Sequence, residues 1–332
     1  MQRLTATPFA PWFLERLRSA DRIIAMTHVD PDADGLGSQL AFCLAARAAG
    51  KDVVIVNEDP CPPRYAWMDP GGLVQCFDDA AATLEGADLG LIFDAHELDR
   101  ARRPAQALRA AGVDVWVLDH HGVADDTHVT GCVATDFSST GELCFRLLEA
   151  LGWSLGPDSA LGIYGAISFD TGSFRFLRNQ GRTLRVAADL LDTGLDANPI
   201  QEALWASRPF DETVLLGRIC SQIERTEDGR VAWAIVPAST LEGLNTGPGA
   251  IGEAMPMVIG IDGVVAAAMF KPGRGANEWK VSLRSKTAAT IGHIAQSRGG
   301  GGHAHAAGCT VTGDLTTHVA AVIAELVAAV AK

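Results

Sequence analysis

The sequence has no CxxC pair, no uninterrupted apolar run of about 18 residues and no basic stripe, and each absence removes a class of protein. The seven cysteines (Cys43, Cys61, Cys76, Cys132, Cys144, Cys220, Cys309) are odd in number and widely scattered. That excludes a disulfide framework or a zinc knuckle and predicts that most are small buried apolar side chains. The opening stretch MQRLTATPFAPWFLERLRSADR carries charges among its apolar residues, so it does not read as a secretory signal. These features predict a reduced, cytoplasmic setting with no membrane partner. The net charge of -13 argues against tracking along a long nucleic acid, which requires many cations against many phosphates. An anionic substrate would be drawn by a few local cations, bound metal and selected arginines, and would be small.

What is present is an ordinary globular composition, 48% hydrophobic and 20% charged over 332 residues, enough for two cores. No internal repeat or low-complexity tract appears. The first half alternates buried strands with helices: RIIAMTHV (22–29), a helix over 36–49, KDVVIV, ADLGLIFD (87–94), a helix near 100–111 and VDVWVLD (113–119), then helices over 138–151 and 157–169. This is the pattern of βαβ units on a mostly parallel sheet. Helical periodicity continues through GRTLRVAADLLDTG, 198–207 and 210–225. Beyond, VAWAIVP, MVIGIDGVVAAAMFKPG and EWKVSLRSK read as strands, with helices over 287–297 and 315–331. The Asp262-Gly263 pair predicts a hairpin turn. The expected fold class is therefore α/β, with a catalytic domain over 1–190, a helical connector over 191–212 and a smaller α+β domain over 213–332.

Three predicted strands of the first domain end in side chains able to bind metal. The first runs into THVDPDADGLGS, with His28, Asp30, Asp32 and Asp34 two residues apart; the second ends at Asp94; the third ends at Asp119-His120-His121. Strand C-termini of an open parallel sheet face one crevice, so these groups should converge. Unpaired carboxylates so close together repel one another without a cation. Asp32 or Asp34 alone would read as a turn residue or helix N-cap; the histidines are not explained that way. Mixed carboxylate and imidazole donors suit manganese, with magnesium or cobalt as related ions.

The segments HVDPDADGLGS, FDAHELDR, LDHH and FDTGSFRF, in this order, resemble the four motifs of the DHH phosphoesterase superfamily, and GGGGHAHAAG resembles the glycine-rich motif of its associated C-terminal domain. The combination of DTGSFRF, KVSLRS and GGGGH is most similar to the short-oligoribonuclease (nanoRNase) and 3'-phosphoadenosine-5'-phosphate (pAp) phosphatase branch. The resemblance implies two divalent ions: His28 and Asp32 on one, Asp34, His120 and Asp170 on the other, and Asp94 bridging both. His121 would stand just outside, and Asp119 would orient an imidazole. In the second domain it implies that His303 contacts a phosphate and Arg284 grips a terminal one. Gly300, Gly301 and Gly302 would let the backbone approach the substrate, and Arg298 is a further candidate cation. Phe174 and Phe176 read as core residues, with stacking on a base as the alternative.

The expected reaction is attack by a metal-activated hydroxide on short RNA, releasing mononucleotides, with removal of the 3'-phosphate of pAp. Phosphodiesterase action on linear or cyclic dinucleotides, exopolyphosphatase-type chemistry and silent nucleotide sensing are the alternatives. A homodimer is left open.

Overall fold

The computed structural model describes residues 8–122, 130–273, 275–286, 289–302 and 304–331, and the chain divides into two compact units, Met1–Ser207 and Arg208–Lys332. The first unit runs α1 (Pro11–Ser19), β1 (Arg22–Thr27), α2 (Ala33–Ala48), β2 (Asp52–Asn57), β3 (Val74–Cys76), α3 (Phe77–Ala80) and β4 (Leu89–Phe93). It continues through α4 (Arg102–Ala110), β5 (Asp114–Asp119), β6 (Gly131–Val133), α5 (Thr140–Leu151), α6 (Pro157–Asp170), α7 (Gln180–Asp192) and α8 (Asn198–Gln201). A π-helical turn, Glu202–Ala206, follows.

The six strands form one parallel sheet in the order β3-β2-β1-β4-β5-β6. Strands covered on both faces need apolar side chains at successive positions rather than alternate ones, which is what LGLIF of β4 supplies, buried along its whole length. On one face Ile23, Ile55, Leu91 and Leu118 pack with Phe42 of α2, Leu147 of α5 and Ile163 of α6. On the other, Ile24, Met26, Ile92 and Val117 pack with Ala105 and Leu108 of α4. Because β1 pairs with β2 on one side and β4 on the other, the winding reverses there. The C-terminal ends of β1 and β4 consequently frame the crevice where such sheets bind ligands. The helices after α6 also belong to this core, through Val186 and Leu190 of α7 and Ile200 of α8.

The second unit runs α9 (Phe210–Cys220), β7 (Ile223–Arg225), β8 (Val231–Ile235), α10 (Met255–Ile259), β9 (Ala266–Pro272), β10 (Glu278–Ser285), α11 (Gly292–Gln296), β11 (Gly301–Gly302), β12 (Ala306–Thr312) and α12 (Leu315–Val330). Its sheet order is β11-β12-β10-β9-β8-β7, antiparallel except for the parallel β8–β9 pair. One face packs against α11 and α12, and part of the other against α9 and α10.

Three local expectations change. The helix expected over 210–225 stops at Cys220, and Ile223–Arg225 becomes strand β7. The apolar residues MVI (257–259) lie in helix α10, with Pro256 in its first turn, so Asp262-Gly263 links a helix to β9 rather than closing a hairpin. A short apolar run does not distinguish helix from strand by periodicity, whereas proline near a helix start favours the helix. The helix expected over 287–297 is confined to Gly292–Gln296, with residues 287 and 288 outside those described. Of the seven free cysteines, Cys43, Cys132, Cys144 and Cys309 are buried and Cys220 is exposed. No helix among the described residues is long and apolar enough to cross a membrane.

Candidate metal centre

The loop after β1 is tied down before it reaches its acidic residues. Thr27 donates its hydroxyl to the Phe93 carbonyl (2.8 Å), and its backbone N–H donates to Asn57 Oδ1 (3.0 Å). Helix α2 starts close against Thr27 because Gly35 has no side chain: a Cβ there would lie 2.2 Å from Thr27 Oγ1. Asp32 serves two purposes through different oxygens. Its Oδ1 accepts the N–H groups of Asp34 (2.9 Å) and Gly35 (3.2 Å), the helix N-cap, while Oδ2 lies 3.8 Å from His28 Nε2. His28 donates Nδ1–H to the Val29 carbonyl (2.8 Å), so the Nε2 lone pair is turned toward the carboxylates. Asp30 is exposed, outside every cluster of potential ligands among the described residues, with its N–H on Asp59 Oδ2.

Asp94, just past β4, is buried and left-handed (φ 62°), a costly conformation for a residue with a side chain and one that concentrates at functional sites. Its two oxygens face opposite ways: Oδ2 is 3.5 Å from His28 Nε2, and Oδ1 is 3.7 Å from His120 Nε2. Asp34 Oδ2 and Asp170 Oδ2 complete the second side, 3.6 and 3.1 Å from the same His120 nitrogen. The N-terminus of α5 supports both buried carboxylates. Thr140 and Gly141 donate their N–H groups to Asp34 (2.8 and 2.9 Å), and the Thr140 hydroxyl donates to Asp94 Oδ1 (2.9 Å). Unpaired N–H groups at a helix start favour negative charge, but not enough here. Burial, then Asp94, Asp170 and Asp32, push the Asp34 carboxyl well above the usual range, and burial, then Asp32, Asp170 and Asp119, do the same to Asp94.

Asp119 behaves differently. Burial opposes its ionisation, but hydrogen bonds from His121 and His96 outweigh that and hold its carboxyl far below the ordinary range. Its Oδ1 lies 2.9 Å from His121 Nδ1 and accepts the N–H groups of His120 and His121, while Oδ2 lies 2.6 Å from His96 Nδ1. Asp119 therefore orients His121 rather than His120. Replacing it with asparagine should lower kcat by roughly 10- to 100-fold, the usual effect of losing such an outer partner; steady-state rates at saturating metal test this, and an unchanged kcat would show that His121 needs no orienting.

Sequence reasoning missed His96, whose Nδ1 meets Asp119. It also missed Thr140 with Gly141 and Arg178, whose Nη1 donates to the His120 carbonyl (2.7 Å). One signal was present: Ser139-x-x-Glu142 is a capping-box pattern marking the α5 start, and the Ser139 hydroxyl does accept the Glu142 N–H (3.0 Å). Nothing in sequence spacing points to Arg178 or His96.

The substrate-side candidates lie in the second unit. Arg284 is exposed on β10 and donates Nη1 to the Leu283 carbonyl (3.0 Å). Arg298 is paired with Glu325 of α12 (Nη1 to Oε2, 3.1 Å), so its charge is already matched. Gly300 and Gly302 have backbone reasons to be glycine. A Cβ on Gly300 would lie 2.2 Å from the Gly308 carbonyl, and Gly302 has φ 128°. Gly301 meets no such constraint and is exposed. His303 lies outside the described residues.

The first-unit cluster fits divalent ions on its own chemistry. His28, Asp32 and Asp94, and likewise Asp34, His120 and Asp170, each bring one donor atom per residue within 4.8 Å of one another. His120 Nε2 is buried without a hydrogen-bond partner, while its Nδ1 is held on the Phe137 carbonyl (3.3 Å). That is the orientation in which an imidazole offers its other nitrogen to a metal. Asp94, His120 and His121 form a third such group.

Residues 22–166 match the DHH family, N-terminal domain, and residues 228–332 match the DHHA1 domain. The bifunctional oligoribonuclease and PAP phosphatase NrnA of Thermus thermophilus is 30% identical over 88% of this chain and 84% of its own. The protein of the same name from Bacillus subtilis is 27% identical over 88% and 90%. A crystal structure of an exopolyphosphatase-related protein from Bacteroides fragilis shares the fold, with a TM-score of 0.85 at 23% identity over 95% of this chain and 94% of that one. The chain thus belongs to the DHH family, carries its DHHA1 domain, and is a metal-dependent phosphoesterase similar over most of its length to bifunctional oligoribonucleases and PAP phosphatases.

Proposed function

We propose that the protein hydrolyses short RNA oligonucleotides to mononucleotides and pAp to AMP, using two divalent ions, manganese foremost. The observation that carries the two-ion reading is the division of Asp94: one oxygen faces His28 and the other faces His120. His28 and Asp32 would hold one ion, Asp34, His120 and Asp170 the other, and Asp94 both. Two ions held there would supply Lewis acidity to a scissile phosphate and would lower the pKa of an attacking water. The substrates are inferred from the relatives, both named for oligoribonuclease and PAP phosphatase activity.

The chain's own residues supply the rest. Helix α5 and Thr140 hold Asp34 and Asp94 in place before substrate arrives, so little reorganisation accompanies reaction. His121, held through Nδ1 by Asp119 and about one-third exposed, would give a proton from Nε2 to the departing sugar oxygen, with water as the other donor. Arg284 is assigned to a terminal phosphate, which its planar fork can grip with two hydrogen bonds. The net charge of -13 argues against an extended electrostatic track for long RNA.

The test is product chromatography of pAp, dinucleotides, cyclic dinucleotides, polyphosphate and RNA of graded length after incubation with manganese. Mononucleotides from RNA of about five residues, AMP from pAp and little product from RNA of about fifty residues are expected, since holding long chains takes many phosphate contacts, which a net charge of -13 disfavours. Equal turnover of the short and long RNA would contradict the length limit, and exclusive cleavage of polyphosphate would overturn the substrate class.

A further inference from the structure

The segment after Asp170 leaves an aromatic residue with no structural role that its surroundings explain. Gly172, Ser173 and Phe174 are consecutively left-handed, with φ of 57°, 61° and 63°. Glycine adopts that conformation freely, but serine and phenylalanine do so at a cost, and such strain persists only where neighbouring structure imposes it. Here the turn is held by the Ser173 N–H on the Ser168 carbonyl (2.7 Å) and by the Arg175 and Phe176 N–H groups on the Thr171 carbonyl, both 3.0 Å. The outcome is that Phe174 turns inward, its ring 5.6 Å from that of Tyr164, while Phe176 points outward and is 73% exposed. The core expectation therefore applies to the first phenylalanine and not to the second.

Phe176 is the outer member of an ordered stack. Phe169, at the end of α6, stacks on Trp205 at 6.5 Å and 21°. Trp205 lies in the π-helical turn and donates Nε1–H to Ser168 Oγ (3.1 Å); π-turns recur at functional sites. The Arg175 guanidinium comes next, 5.8 Å from the Trp205 ring and 6.0 Å from the Phe176 ring, with its Nε donating to the Gly172 carbonyl. The Phe176 ring passes close to Gly172, where a Cβ would lie 3.4 Å from it. Its flanking cation is thus pinned on a carbonyl two residues after Asp170, which itself lies 3.1 Å from His120 Nε2. Flat aromatic and guanidinium groups with one open face are how proteins hold unpaired nucleobases, because every base offers a π-face.

We propose that Phe176, backed by Arg175 and Trp205, is a stacking platform for a nucleobase of the substrate and is the residue that distinguishes a nucleotide from a bare phosphoester. This rests on the reading above that the substrate carries a base. Neither Phe176 nor Arg175 is assigned to metal binding or to proton transfer, so the platform would act on binding of the base and leave the chemical step alone.

The test compares Phe176→Ala and Phe176→Tyr with the unmodified enzyme on two substrates, pAp and abasic ribose 3',5'-bisphosphate. The alanine variant is expected to raise KM for pAp about tenfold or more, the scale of one lost base stack, with kcat and the abasic KM unchanged, and the tyrosine variant to restore the pAp KM. An unchanged pAp KM would overturn the platform. So would an equal change on both substrates, which is also what covering of Phe176 by another protein surface would produce. A second measurement does not depend on turnover: 2-aminopurine ribonucleotide fluorescence should be quenched on binding the unmodified protein and not the alanine variant. If the unmodified enzyme hydrolyses neither substrate, the proposed pAp phosphatase activity falls while quenching still decides the platform; an unquenched probe overturns it.

Discussion

Asp94→Asn is expected to abolish measurable turnover, a loss of more than about a thousandfold, at the upper end of what one electrostatic group supplies in an active site. It should at the same time raise the melting temperature of the metal-free protein. Both effects have the same origin. Asp94 is buried, its carboxyl is pushed up by burial first and then by Asp32, Asp170 and Asp119, and without a cation its charge opposes folding. Asparagine keeps an oxygen for the Thr140 hydroxyl, now 2.9 Å away, and removes the charge. It also removes the oxygen pair shared between the His28 and His120 sides, so the gain in melting temperature on adding manganese should shrink. Differential scanning fluorimetry with chelator and with manganese, beside rate measurements, checks both halves. Activity retained in the variant would remove the bridging role, and a lower metal-free melting temperature would show that Asp94 is not repelled in the empty cluster.

The second large effect is on pH dependence. Asp34 and Asp94 have folded-state pKa values raised above their unfolded values. Their contribution to stability is therefore fully present below the unfolded value, near 4, and is lost as pH rises through the raised folded values. Asp119 is depressed and works oppositely, losing its contribution as pH falls, so it protects the neutral range. The metal-free protein should lose stability between about pH 4 and neutrality. Bound metal favours the ionised carboxylates and displaces their protons, so apparent affinity should rise with pH and the stabilisation by metal should widen. At free manganese about 100 times the dissociation constant, stabilisation is about 2.7 kcal/mol, or on the order of 5–10 °C. Melting curves with and without manganese across pH measure the widening; a constant gap would mean that Asp34 and Asp94 do not exchange protons for metal.

Particular residues show why some of this was legible in the chain and some was not. β1, β4 and β5 are buried parallel strands, so they read as continuous apolar runs, and each ends at a polar group that stands out against that background. The motifs were visible because the chemistry sits at strand ends. By contrast, Met255–Ile259 is as apolar as a strand and folds as a helix, because five residues carry too little periodicity to decide. The glycine run also looked uniform in sequence, yet Gly300 and Gly302 answer to packing and backbone geometry while Gly301 does not. Arg298 looked available until Glu325, far along the chain on α12, proved to be its partner.

By itself the sequence determined the main alternation of strands and helices in the first half, its parallel sheet and the set of aspartates and histidines gathered at its strand ends. Those follow from local hydrophobic patterning and from chemistry concentrated in short segments. Tertiary structure alone decided that Asp94 divides its oxygens between two histidines, that the α5 N-terminus supports Asp34 from more than 100 positions away in sequence, that Asp119 orients His121 through one oxygen and meets His96 through the other, and that Phe174 is inside while Phe176 is outside. Each of these depends on distances and directions between segments brought together only when apolar faces are buried, and residue spacing carries no record of them.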